Sequence, residues 1–136
     1  MNEFIKSGLN SIFKRSPDID LFEYVWLPEV KQEGMCIGYF WYSDEQKLIY
    51  AIQEKKYGTK HYIEPQYFRL TGFYNMDYRC DYQPKYHLFQ LVRIEATSHI
   101  HMICGLEYNN KPAGWVYHVD RIHTPYCTDE LQAFSV

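Results

Sequence analysis

The stretch from Thr97 to Asp120 constrains the fold most, because it alternates. Thr97-Ser98-His99-Ile100-His101-Met102-Ile103-Cys104-Gly105-Leu106-Glu107 reads as one strand, and Trp115-Val116-Tyr117-His118-Val119-Asp120 reads as a second. Successive side chains on a strand point to opposite faces. His99, His101 and Glu107 are therefore expected on one face, and Ile100, Met102, Cys104 and Leu106 on the other. The connection from Asn109 to Gly114 is rich in turn formers, and Lys111-Pro112-Ala113-Gly114 suits a type I turn. An even loop brings His118 and Asp120 onto the histidine face and collects Trp115, Tyr117 and Val119 with Ile100, Met102 and Leu106. An odd loop dissolves that cluster. The apolar alternation favours the even loop.

Helical spacing shows at the amino terminus, where Ile5, Leu9, Ile12 and Phe13 form one stripe and Lys14 and Arg15 suit the carboxyl end of the helix dipole. Ser16-Pro17 ends it, since the residue before proline avoids the helical region. From Leu21 the period shifts towards two. Leu21 to Leu27 reads as a strand, Lys31 to Gly34 as a polar turn, and Met35 to Tyr42 as a strand covered on both faces. Residues 43–56 allow two readings. Ser43 and Gln46 suit a capping box that starts a helix. Leu48-Ile49-Tyr50-Ala51-Ile52 equally suits a strand returning from a loop, which its aromatic and β-branched content favours. A strand over His61 to Leu70, interrupted near Pro65, an irregular loop from Thr71 to Pro84 and a strand over Tyr86 to Ala96 complete the middle. Thr124 to Val136 reads as a tail with a helical turn near Thr128. No internal repeat, low-complexity tract or linker is apparent. The expected fold is a single α+β domain over residues 1–136: an N-terminal helix packed on a curved, mostly antiparallel meander that ends in a long C-terminal hairpin.

Length and composition exclude several classes. A chain of 136 residues is long enough to bury a core without metals or disulfides. Fourteen basic against 17 acidic residues leave a net charge of −3, and the small gathering Lys55-Lys56 with Lys60 has Glu54 beside it. Nucleic acid is not an expected partner. The longest apolar run, Met35 to Tyr42, is far short of the ~20 residues of a membrane helix, so no membrane partner is expected. Cys36, Cys80, Cys104 and Cys127 stand apart, with no Cys-x-x-Cys spacing, which suits free thiols in the cytoplasm. The outlier is the aromatic fraction of 18%, with 14 tyrosines. Tyrosine joins a large apolar body to a polar tip and suits both sheets and binding surfaces.

The histidine face supplies the one candidate site. Histidines at i and i+2 on a strand stand roughly 6.6 Å apart at the backbone, so His99 and His101 can share a metal with Glu107 completing the shell. Without metal, His101 or His118 with Asp120 can serve as an acid–base pair. His99-Ile100-His101 followed by Glu107 is similar to the first metal motif of cupins. It departs in the five residues separating His101 from Glu107 and in lacking the upstream glycine, and Pro112-Ala113-Gly114 with His118 follows too closely for a second jelly-roll motif. There is no phosphate loop, nucleophile elbow or zinc-finger spacing, and the sequence names no cofactor. The expected function is a small soluble interaction module that binds another protein through a tyrosine-rich surface, a profile shared by inhibitory and immunity-type proteins. The alternative is a small enzyme or ligand-binding domain built on the histidine face.

Overall fold

The computed structural model describes residues 20–110, 113–119 and 122–134. These residues fall into two compact units, whose described parts are residues 20–83 and residues 84–110, 113–119 and 122–134. The first unit contains β1 (Glu23–Leu27), β2 (Gln32–Tyr42), β3 (Lys47–Glu54), β4 (Lys60–Ile63), a 3-10 turn (Pro65–Tyr67), β5 (Arg69–Tyr74) and the helix α1 (Met76–Asp81). All its strand pairs are antiparallel, in the order β4-β3-β2-β1-β5. Hairpin formation decides the ambiguous stretch 43–56: β3 pairs with β2 from Tyr42–Lys47 to Gly34–Glu54. Gln46 takes a positive φ of 53° to close that turn, and Leu48 to Ile52 are buried in succession, as a strand covered on both faces requires. Pro65 opens the 3-10 turn, where its fixed φ and missing N–H cost nothing. Asn75 caps α1 by accepting from the Tyr78 amide at 3.1 Å.

The second unit contains β6 (Leu91–Ile94), β7 (Ile100–Asn110), β8 (Ala113–Val119), β9 (Ile122–Cys127), a 3-10 turn (Thr128–Glu130) and β10 (Leu131–Ala133). Its order is β9-β8-β7-β6-β10, again antiparallel throughout. Tyr117 lies in its core at 0% exposure. The Tyr117 hydroxyl accepts from the amides of Lys85 and Tyr86, at 3.1 and 3.3 Å, and its ring meets Tyr86 edge-on at 5.3 Å.

The two units are copies of one plan. Phe22 and Phe89 both take a positive φ, 65° and 68°. Both donate their amide to the second strand, Phe22 to Cys36 and Phe89 to Ile103, each at 2.7 Å. The left-handed region is costly for a bulky side chain, and finding it twice, 67 residues apart (22 to 89, 36 to 103), marks a shared frame. The turns between first and second strands carry Lys31 and Ser98, again with positive φ. Each long second strand has a bulge at the same place, between Cys36 and Gly38 and between Ile103 and Gly105. Each unit returns through a 3-10 turn into a fifth strand that pairs with the first.

Four expectations are corrected here. The α+β class gives way to a mostly antiparallel β architecture, since the described residues contain ten strands and a single six-residue α-helix. The expected N-terminal helix lies outside the described residues. An internal repeat exists although none was apparent, because a frame of this kind fixes few side chains. The pairs Leu21/Leu88, Phe22/Phe89, Val25/Val92, Met35/Met102, Gly38/Gly105 and Tyr50/Tyr117 are identical, and they are spread too thinly to stand out as a pattern. The tail after Thr124 is likewise not loose chain: it supplies the end of β9, the second 3-10 turn and β10. The irregular loop expected after Thr71 is the end of β5 followed by α1.

Burial holds the His87 imidazole below its ordinary pKa of 6.5. The folded state then binds this proton less well than the unfolded chain, so the effect is absent at high pH and costs stability as pH falls through 6.5. Urea denaturation of the wild type and of His87→Gln, compared from about pH 8 to about pH 5, is expected to show the wild type losing more stability on acidification.

Candidate interaction site

The histidine face is divided by the bulge in β7. Asn110 pairs with Ala113, which leaves the even loop that the alternation requires, and His118 opposite Gly105 shares a face with Glu107 opposite Val116. Between Gly105 and Ile103, however, β7 carries one extra residue, Cys104, so Ile103 pairs with Val119. A bulge of this kind reverses the alternation on its far side. His101 therefore follows Ile103 and the core positions Leu106, Tyr117 and Val119, while Glu107 and His118 take the other face. His99 and His101 remain neighbours, with ring centroids 6.3 Å apart. Glu107 is buried, and Asp120 lies outside the described residues. Among the described residues no group of three or more His, Cys, Asp and Glu side chains is placed to hold a metal ion. The metal set His99, His101 and Glu107 is thus not brought together; His101 and His118 lie on opposite faces, and the pairing of either with Asp120 falls outside the described residues.

A histidine–carboxylate pair does form elsewhere. His61 on β4 sits with Nε2 2.6 Å from Oε2 of Glu54, a buried carboxylate at the end of β3. The pair ties the β3–β4 hairpin. Removing one partner leaves the other buried without it, so His61→Ala is expected to cost about 2 kcal/mol in denaturant unfolding, and Glu54→Gln less.

A cleft of about 400 Å³ lies in the first unit, lined by Pro28, Glu29, Gln66, Tyr67, Phe68 and Arg69. One wall is the turn between β1 and β2, and the other is the 3-10 turn with the start of β5. Phe68 roots the second wall: it is buried and meets Tyr50 edge-on at 5.5 Å. Lys47 on β3 binds Glu64 at 2.5 Å, and Glu64 also accepts from Gln66. The Lys47 and Gln66 contacts hold the Glu64 carboxyl below its usual pKa. The wall is therefore fixed at both ends before any ligand arrives. Tyr67, at 60% exposure, stands out from it, and Trp26 lies directly opposite Arg69 across the β1–β5 pair. Among the described residues the side chains of Glu29 and Arg69 take part in no ion pair or hydrogen bond.

Compared with known protein families, with characterised proteins and with solved structures, the chain finds no match. The internal copy offers the available comparison. At the positions of Trp26, Pro28, Glu29, Gln66, Tyr67 and Arg69 the second unit has Arg93, Glu95, Ala96, Asp129, Glu130 and Gln132. Phe68, which roots the wall in the core, is matched by the buried Leu131. The frame is kept, while the cleft's aromatic residues and its pair of opposite charges give way to the carboxylates Glu95, Asp129 and Glu130. Sequence reasoning passed over this site because Pro65 signals only a break in a strand. Which of 14 tyrosines stays in water is decided by the packing of the 3-10 turn.

Proposed function

We propose that this protein is an interaction module that binds another protein through the aromatic surface of its first unit, centred on the cleft between Pro28 and Tyr67. The observation that carries the reading is an asymmetry. Among the described residues the strongly exposed aromatic side chains are Trp26, Tyr42, Tyr57, Tyr62, Tyr67, Phe73 and Tyr82, all in the first unit. Phe73 is 72% exposed and Leu70, on the same strand, 53%. Exposed aromatics carry a disproportionate share of binding energy at protein interfaces because they bury much area at little entropic cost. Two of the four free cysteines, Cys80 and Cys127, are exposed, which suits a reducing, cytoplasmic setting. Among the described residues no helix is long and apolar enough to cross a membrane.

The test is differential. Tagged full-length chain is recovered from cells that naturally make it, as wild type, as Trp26→Ala/Tyr67→Ala and as the second-unit control Leu91→Ala/Met102→Ala. Loss of about 2 kcal/mol at one such residue weakens binding roughly 30-fold. A protein that accompanies the wild type and the control but not the cleft variant supports the reading. Equal recovery with all three chains contradicts it.

A further inference from the structure

We infer that the cleft of the first unit takes an extended peptide segment in which one apolar side chain is flanked by a basic and an acidic residue. This rests on the interaction reading and names the partner's chemistry. Tyr67, Pro28 and Phe68 present rigid apolar surface, with Phe68 anchored in the core, so the cleft is ready to receive a side chain without reorganising. Glu29 and Arg69 supply opposite charges on the two walls, Glu29 from the β1–β2 turn and Arg69 from the start of β5. Three other carboxylates of this unit are already engaged: Glu33 by Lys55, Glu54 by His61, and Glu64 by Lys47.

A carboxylate and a guanidinium that share a cleft and do not pair with each other exert no single-sign preference. A wholly basic ligand would meet Arg69, a wholly acidic one would meet Glu29, and an uncharged one would satisfy neither. Like-charge contacts at an interface are strongly unfavourable and opposite ones set register. The ligand that satisfies both walls brings a cation to Glu29 and an anion to Arg69, with its apolar group against Tyr67. Extended backbone delivers this arrangement when the charges stand two residues either side of the apolar one, because side chains two apart leave the strand on the same face.

The probe is a set of immobilised nine-residue peptides with a central Leu, Pro or Tyr, flanked at one to three positions by Lys and Glu in either order, by Lys alone, by Glu alone or by Gln. Full-length chain is expected to bind one order of the Lys/Glu peptides at least about tenfold better than every single-sign or neutral set. The charge-reversed chain Glu29→Lys/Arg69→Glu is expected to prefer the opposite order, with its melting temperature confirming that it folds. No preference among the sets, or the same preferred order in the charge-reversed chain, overturns the inference. The proposed interaction surface fails separately: if Trp26→Ala/Tyr67→Ala still holds the cellular partner, the surface itself is wrong. If that partner is lost while the peptides show no charge order, only the ligand chemistry is wrong.

Discussion

Phe22→Ala is expected to lower the stability of the protein by about 4 kcal/mol. Phe22 is fully buried, and its ring meets Tyr78 of α1 edge-on at 5.6 Å. Truncation removes that core volume and leaves a cavity beneath the helix. The positive φ makes the case more informative, because alanine is nearly as strained there as phenylalanine and gains nothing in return. Phe22→Gly loses the same ring but relieves the backbone, so it is expected to fall short of the alanine variant by less than the intrinsic cost of glycine elsewhere. Phe89 adopts the same backbone but is only half-buried, so Phe89→Ala is expected to cost less than Phe22→Ala. Chemical denaturation of the four chains checks the order. Equal losses at 22 and 89 would show that the ring's burial is not what anchors the first unit.

Tyr117 separates two contributions in the second unit. Tyr117→Phe keeps the ring against Tyr86 but withdraws the oxygen that accepts from the amides of Lys85 and Tyr86. Leaving such donors unmatched is expected to cost about 2 kcal/mol. Tyr117→Ala adds the loss of a ring at 0% exposure and is expected to reach about 4 kcal/mol. Burial and those amide bonds also act oppositely on the hydroxyl's acidity: burial pushes the Tyr117 pKa up and outweighs the donors that pull it down. Equilibrium unfolding in urea measures both variants. A phenylalanine variant as stable as the wild type would mean that the two amides find another acceptor, and the account of how residues 84–86 are fastened would have to change.

The hairpins were legible because alternation and β-branched content are local. Leu21 to Leu27, Met35 to Tyr42 and Leu48 to Gln53 each lie within or overlap an observed strand, and the even loop before His118 followed from the apolar alternation on either side of it. What the sequence hid depends on non-local pairing. The bulge at Cys104 is one extra residue against β8, invisible in a strand whose own composition does not change there, yet it moves His101 to the face opposite Glu107. The duplication was hidden for a related reason. Backbone features such as the left-handed Phe22 and Phe89 define the frame, and many sequences satisfy the surrounding positions. Tyr67 illustrates the third obstacle: exposure belongs to packing, and Phe68, its neighbour, is the residue that turns inward.

The central claim is that the first unit, and not its copy, meets a partner through the cleft. The direct measurement places the photo-crosslinking residue p-benzoylphenylalanine at position 67, or at its counterpart Glu130, in the full-length chain and irradiates cells that contain it. The account predicts a discrete protein adduct at position 67, abolished by Arg69→Glu, and none at position 130. Adducts of equal yield at both positions, or none at position 67, would contradict it.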